Sequence, residues 1–425
     1  MSLANLPFST ITHLTLLIAY TLAVLVSPTV EFRATVMHVD RGKNLSKIEL
    51  LRLALGRDRK RLDWLQATAS ISTEKIESTI IACPDYLYSE YLVELSIGTP
   101  PQPFRALMST GSDLTWIQCT SCKKKCPQKS ANFFNPKKSN SYKVLECPSK
   151  GQRHDKCTYN VVYADDSWSI GQLATETFQF EEDSDPVPKL VFGCSLNNSG
   201  DLFSGSGVLA LGPTSHSFVS QLGVTEFSYC MPPPGLNEEG VLEMGPKAGA
   251  CARADIRTPT TRLIVNMSDP AQPFYWIPFE GVAVGGADLV RVDGSGPSII
   301  STGTTLTLLE RGAFEDVKRQ FAQKINLKLA NGSKIDPGLE LCFDVRGLRK
   351  IKVPTVVLKF EGAKVKLPKE SYFVVDSGVG CLAMGAAEEG GPTILGNFQQ
   401  QNMLVAYDIA NGTISFVPNT QCDDM

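Results

Sequence analysis

Two short segments of the chain gather hydroxyl-bearing residues around a Ser-Thr-Gly centre. The first is Leu107-Met108-Ser109-Thr110-Gly111-Ser112-Asp113-Leu114-Thr115-Trp116, and the second is Ile299-Ile300-Ser301-Thr302-Gly303-Thr304-Thr305-Leu306-Thr307-Leu308. A serine hydroxyl does nucleophilic chemistry only beside a general base, usually a histidine. Beyond the N-terminal apolar run the histidines are His38, His154 and His216; none stands in a Ser-His-Asp order, and the chain has no Gly-x-Ser-x-Gly elbow. An unassisted Ser at neutral or acid pH is uncharged. It can hold a water or a carbonyl by hydrogen bonds, but it cannot take a proton from that water.

A motif doubled at this separation implies two homologous lobes, each delivering one loop to a shared centre. Each loop is followed by an apolar-apolar-small strand at a similar interval: Val208-Leu209-Ala210 lies 101 residues after Ser109, and Ile394-Leu395-Gly396 lies 95 after Ser301, counting to the small residue. From Tyr86 onward, short β-like runs such as Tyr91–Ile97, Val353–Phe360 and Leu404–Ile409 are broken by Gly, Pro, Asn and Ser, which predicts a mostly β chain. A helical spacing stands out at Arg311–Ile325, where Phe314, Val317, Phe321 and Ile325 share a face.

At 425 residues the chain is too long for one ordinary core. A net charge of −3 gives no electrostatic case for nucleic acid or an anionic membrane. Twelve cysteines point to an oxidising compartment. Leu14–Val26 is almost wholly apolar and breaks at Ser27-Pro28, so residues 1–27 read as a signal peptide, too short for a stable membrane span. No Lys or Arg precedes the run, and an uncleaved anchor is the competing reading. Sequons at Asn44, Asn197, Asn266, Asn331 and Asn411 are glycosylation acceptors in a secreted chain. Between Arg33 and Arg61 nine Lys/Arg face three Asp/Glu, with Ile48, Leu51, Leu55, Leu62 and Leu65 at helical spacing and a capping box at Ser46–Glu49. Alone this is a solvated basic helix; between a signal peptide and a lobe repeat it reads as a pro-segment, residues 28–85.

The ordered pieces SIGTPPQPF (Ser96–Phe104), LMSTGSDLTWIQC (Leu107–Cys119), CTYNVVYADDSWSIGQLATETFQF (Cys157–Phe180), LVFGCSLNN (Leu190–Asn198), FSYC (Phe227–Cys230), IISTGTTLTLL (Ile299–Leu309) and ILGNFQQQNMLVAYD (Ile394–Asp408) resemble the pepsin-like aspartic proteases, more closely the plant nepenthesin-like branch. The resemblance covers Tyr86 to Cys422. It implies a mostly β, bilobal fold with a central cleft and a flap hairpin, an N-terminal lobe at 86–260 carrying a Cys-rich insert, and a C-terminal lobe at 261–425. It also implies no metal and no cofactor. In that family each loop reads Asp-Thr-Gly or Asp-Ser-Gly, so Ser109 and Ser301 stand where the two catalytic carboxylates would be. Those carboxylates share one proton: the ionised one takes a proton from the attacking water, and the protonated one polarises the peptide carbonyl.

The resemblance assigns the remaining parts residue by residue. Thr110 and Thr302 would lock the loops together, Gly111 and Gly303 would let their backbones approach, and Ser112 and Thr304 would bond to the dyad. Tyr163 matches the flap tyrosine and Trp116 the tryptophan that supports it. The flap reads Tyr163-Ala164-Asp165-Asp166-Ser167 where the family has Tyr-Gly-Asp-Gly-Ser, and Ala210 replaces a Gly. Asp113 occupies a position whose side chain points away from the dyad in the family, which leaves it no rescue role. Cys342 and Cys381 match the C-terminal lobe bridge. Cys119, Cys122, Cys126, Cys147 and Cys157 form the dense insert typical of the branch; a zinc reading of Cys119-x-x-Cys122 lacks a neighbouring His cluster.

The expectation is a monomeric peptide- or protein-binding pseudoprotease of the secretory pathway, in the extracellular space (apoplast) or vacuole. Two rivals stand beside it. One is an active aspartic endopeptidase whose catalytic Asp residues were changed to Ser to trap it; the other is an inhibitor of a second secreted enzyme acting through surface loops.

Overall fold

The computed structural model describes residues 31–68, 80–85, 91–121, 133–148, 154–163, 167–181, 184–199, 205–235, 237–250, 252, 255–265, 274–287, 289–292, 298–330, 339–389 and 391–422. The apolar run of residues 1–27, the flap residues Ala164–Asp166, Cys122, Cys126, and the sequons at Asn266 and Asn331 lie outside them.

The chain begins with β1 (Phe32–His38) and α1 (Lys47–Thr68), then runs through β2 (Tyr91–Ile97), β3 (Gln102–Ser109), β4 (Trp116–Gln118), β5 (Thr158–Tyr163), β6 (Trp168–Gln179), β7 (Val187–Ser199), β8 (Gly207–Ala210), β9 (Glu226–Cys230) and β10 (Gly240–Met244). The second half contributes β11 (Phe279–Val284), β12 (Val290–Arg291), β13 (Ser298–Ile300), β14 (Thr307–Leu309), α2 (Arg311–Ile325), β15 (Val356–Phe360), β16 (Ala363–Lys366), β17 (Met384–Ala386), β18 (Ile394–Leu395), β19 (Met403–Asp408) and β20 (Thr413–Pro418). The fold is mostly β and bilobal.

A 15-stranded sheet spans the molecule, with β20-β19-β9-β10-β1-β2-β3-β8-β4-β7-β6-β5 as consecutive neighbours along it. Its midline joins the lobes: β9 pairs antiparallel with β19, placing Phe227 opposite Tyr407, and those rings stack at 4.2 Å. Period-two patterning decides which side of each strand faces inward. In β5, Tyr159, Val161 and Tyr163 are buried while Thr158, Asn160 and Val162 are exposed. The C-terminal lobe carries a six-stranded sheet containing β13-β18-β14-β17 and a separate four-stranded sheet, β12-β11-β15-β16.

The N-terminal segment is built into this architecture. β1 lies between β10 and β2, with Phe32 opposite Met244 and His38 opposite Tyr91. At the start of α1 the capping box closes in both directions: Glu49 N donates to Ser46 Oγ at 3.2 Å, and Ser46 N donates to Glu49 Oε2 at 2.8 Å. The helix buries Leu50, Leu51 and Ala54, and Leu51 joins an apolar cluster with Ile299, Leu306, Leu308 and Phe398. Between strand and helix, Asp40 is fully buried and accepts hydrogen bonds from Lys43 Nζ at 2.7 Å and Arg57 Nη2 at 2.8 Å.

Four disulfides staple the described residues: Cys119–Cys194, Cys147–Cys157, Cys230–Cys422 and Cys342–Cys381. Cys119–Cys194 joins the end of β4 to the middle of its parallel neighbour β7. Cys230–Cys422 links positions 192 residues apart, so it restricts the unfolded chain most.

Burial alone would raise the Asp40 carboxyl, but the Lys43 hydrogen bond and the Arg57 charge hold it below its ordinary 3.8. Its contribution to stability is therefore present above that ordinary value and lost as pH falls toward the lower folded pKa. Replacing Asp40 by Asn removes the buried charge that Lys43 and Arg57 both bond to, a loss of about 3 kcal/mol. Limited proteolysis of the N-terminal segment is expected to be slow at pH 7 and to accelerate below about pH 4 in the native chain. In the Asp40→Asn variant it is expected to be fast at both; equal protection of the two at neutral pH would refute the anchoring role.

Candidate functional site

Both hydroxyl loops hang from a parallel strand pair. β3 ends at Ser109, which lies opposite Ala210 of β8, and Leu211 N donates to Ser109 O at 2.8 Å. β13 runs parallel to β18, and Ser301 N donates to Leu395 O at 3.1 Å. The threonine of the Leu-Thr that closes each repeat plays the same part in both lobes. Thr115 Oγ1 accepts from Ala210 N at 3.0 Å, and Thr307 Oγ1 accepts from Gly396 N at 3.2 Å. Each thus ties its own loop to the neighbouring strand. The two small residues differ in available room. A Cβ on Gly396 would sit 2.3 Å from Leu306 O, whereas Ala210 carries its methyl group fully buried.

At the centre the loops exchange hydrogen bonds across the lobe boundary. Thr110 N donates to Thr302 Oγ1 and Thr302 N to Thr110 Oγ1, each at 3.1 Å, and the two hydroxyls lie 3.4 Å apart. Both residues are fully buried, so a missing partner here would leave an amide unpaired.

Around this lock the two serines are treated differently. Ser109 Oγ accepts from Ser112 Oγ at 2.8 Å, whereas Ser301 Oγ accepts from the backbone N–H of Gly303 at 3.1 Å. Thr304, which repeats the position of Ser112, has a buried Oγ1 with no hydrogen-bond partner. A serine is shorter than a carboxylate, and in the second loop that leaves the outer hydroxyl unanswered. Asp113 is 5 % exposed, and burial pushes its carboxyl above the ordinary range against the opposing influence of His216.

Tyr163 closes β5, and its ring packs beside Trp116 with centroids 6.5 Å apart; Trp116 Nε1 donates to Tyr163 Oη. Both side chains are buried, and Tyr163 N donates to Ser167 O at 2.8 Å across the hairpin mouth. The described loops thus offer donors and acceptors that can orient a water or a peptide carbonyl. At positions 109 and 301 they supply nothing that titrates.

Four buried residues, which lie in the FSYC and ILGNFQQQNMLVAYD pieces but to which the sequence assigns no role, support the second loop. Gln400 Nε2 donates to the carbonyls of Ser301, Leu395 and Gly396 at 3.0–3.1 Å, while its Oε1 accepts from Tyr229 Oη at 2.5 Å across the lobe boundary. Asn397 Nδ2 donates to Thr302 O at 3.0 Å, and Gln399 Oε1 accepts from Thr307 N at 2.7 Å. The run of amides in Asn397-Phe398-Gln399-Gln400, all buried, was the available signal, since buried amides need fixed partners. Among the sequons, Asn44 and Asn411 are exposed, while Asn197 lies within β7 with its Oδ1 buried. The Asn411 amide nitrogen donates to Asp408 at 2.8 Å.

Residues 91–246 match the family model described as Xylanase inhibitor N-terminal, and residues 274–418 the one described as Xylanase inhibitor C-terminal. Aspartic proteinase nepenthesin-1 of Nepenthes gracilis is 38% identical over 411 residues, covering 92% of this chain and 90% of that protein. Nepenthesin-2 of the same plant is 37% identical over 409 residues, with the same 92% and 90% coverage. Among solved structures, conglutin gamma, a basic 7S globulin from lupine seeds, superposes with a TM-score of 0.63 at 18% identity, covering 80% of this chain and 96% of its own. Basic 7S globulin from soybean superposes with a TM-score of 0.62 at 16% identity, covering 93% and 97%. At those identities the two globulins speak for the fold alone.

The reciprocal lock generates a stability prediction. Thr110→Ala and Thr302→Ala each strand a buried N–H of the opposite loop and should each cost about 1–3 kcal/mol in denaturant unfolding. Because each hydrogen bond holds the loops where the other can form, losing one weakens the other, and the double variant should cost clearly less than the sum of the singles. Strict additivity would show that the loops do not depend on one another.

Proposed function

Because this chain belongs to the pepsin-like aspartic protease family of plants, we propose that it is a peptide- or protein-binding member without endopeptidase activity, working as a decoy, inhibitor or receptor. One observation carries the reading: loops that retain the cross-lobe threonine lock present Ser109 and Ser301 in place of a carboxylate pair. The unanswered hydroxyl of Thr304 supports it, since the equivalent Ser112 hydroxyl finds an acceptor on its serine in the first loop and Thr304 finds none in the second. Loss of a general base alone lowers rate by about 10²–10⁴, and here the acid partner is missing as well. The flap tyrosine, its tryptophan and the loop backbones remain to hold a peptide without cutting it.

We read residues 1–27 as a signal peptide, 28–85 as a pro-segment, and 86–260 and 261–425 as the two lobes of a monomer. Four disulfides fit the secretory pathway, ending in the apoplast or vacuole. Among the described residues no helix is long and apolar enough to cross a membrane. A second reading, inhibition of another secreted enzyme through surface loops, is favoured by the description of the matching family models. It predicts tight binding to a glycoside hydrolase that a cleft-directed peptide does not compete away.

The deciding experiment compares the native chain with Ser109→Asp/Ser301→Asp on a protein substrate at acid pH. The native chain should show no pepstatin-sensitive cleavage, and each single replacement should stay inactive because the dyad needs both members. Cleavage by the native chain would overturn the proposal. Recovery in the double variant would identify an intact parent protease; no recovery would point to a site remodelled for binding alone.

A further inference from the structure

The four-stranded sheet of the C-terminal lobe, separate from the sheets that carry the serine loops, presents a face of cations unpaired among the described residues. β11 pairs with β12, β15 with β11, and β16 with β15, and the register aligns Arg291, Gly281, Lys359 and Lys364 in one row across all four strands. The next row holds Ala283, Val357 and Lys366. Val282, Val290, Leu358 and Val365 are buried on the opposite side, so this face is the outer one. Gly281 interrupts the row because its backbone passes against β12: a Cβ there would lie 1.9 Å from Val290 O.

Lys359 and Lys364 stand directly opposite each other, an arrangement of like charges that destabilises a hairpin. Among the described residues no ion pair forms with Arg291, Lys359, Lys364 or Lys366. Two carboxylates border the face. Glu361 in the hairpin turn is taken by Arg262 at 3.1 Å, and Glu280 lies in the bulge beside Gly281. A groove of about 680 Å³ runs along the edge, lined in part by Glu280, Lys359, Phe360 and Lys364. From 344 to 370 the chain has eight Lys/Arg against three Asp/Glu, although the whole protein carries −3.

We propose that this face binds a carboxylate-bearing polysaccharide, laid across the strands so that its acidic groups answer the cationic row. Adjacent strands lie about 4.8 Å apart, so Lys359 and Lys364 stand one strand apart and Arg291 two strands beyond Lys359, a line of cations that suits a linear polyanion. The small side chains of Ala283 and Val357 offer no aromatic platform on which nucleic acid bases could stack. The disulfides fit an oxidising compartment, and the proposal rests on the secretory reading given above for access to an extracellular polysaccharide. This surface is independent of the cleft, and its test does not involve Ser109 or Ser301.

The full chain should be retained by immobilised polygalacturonate at about 0.05 M salt and released by about 0.5 M. Fully methyl-esterified pectin, which lacks the charge, should not retain it. Lys359→Gln/Lys364→Gln/Lys366→Gln should weaken binding by about tenfold or more while melting at the same or a higher temperature, since a like-charge pair is removed. Equal retention of that variant, equal binding of esterified pectin, or tighter binding to polyuridylate or phosphatidylserine vesicles than to polygalacturonate would each overturn the proposal.

Discussion

Two backbone amides and two threonine hydroxyls, exchanged between Thr110 and Thr302, hold the loops of the lobes in one geometry. The exchange is electrically neutral and fully buried, so it needs no charge at the neighbouring positions and does not change with pH. That independence explains how a chain can have serine at both carboxylate positions and keep the loops. Burying two carboxylates side by side is itself unfavourable, and serines at those positions remove the repulsion and the desolvation cost together. Stability and catalysis are therefore separable here. What holds the cleft closed at its floor is not what would drive hydrolysis above it.

The second loop depends on more than the lock. Tyr229, from the strand at the midline of the large sheet, reaches Gln400, which in turn holds three carbonyls around Ser301. Burial raises the Tyr229 hydroxyl far above its ordinary pKa, so it remains a hydrogen-bond donor throughout the physiological range. To the strand pairing that both loops have, the first loop adds the Ser112–Ser109 hydrogen bond. Two halves that match closely in sequence are thus supported by different chemistry.

Much of this is legible in the order of residues alone. The repeated loops, the β texture, the capping box at Ser46 and the helix over Arg311–Ile325 rest on local patterns, and the structure reproduces the elements they call for. The supporting amides are harder to read. Gln400 acts through Tyr229, 171 positions away in the chain, and no periodicity marks such a contact. Apart from Cys342–Cys381, which the resemblance supplies, the cysteine partners are hidden for the same reason, with Cys119 and Cys194 brought together only by the parallel pairing of their strands. Phe32–His38 lies in a segment whose plainest local signal is its basic helix. Its place as a strand depends on β10 and β2, which lie far apart in sequence and flank it only in the folded sheet.

That strand also bears on the order in which the protein can be made. β1 leaves the ribosome first, yet its partner β10 ends at Met244, 212 residues after Phe32. At synthesis rates of about 5–20 residues per second, roughly 10–40 seconds pass before β10 exists to receive it. The central sheet cannot close until then, and during the wait β1, a strand rich in apolar residues, can pair only with β2 and leaves its other edge open. The nascent chain must shelter it, so the window between the first strand and the tenth is when a translating copy is most open to chaperone capture or to pairing with a neighbour.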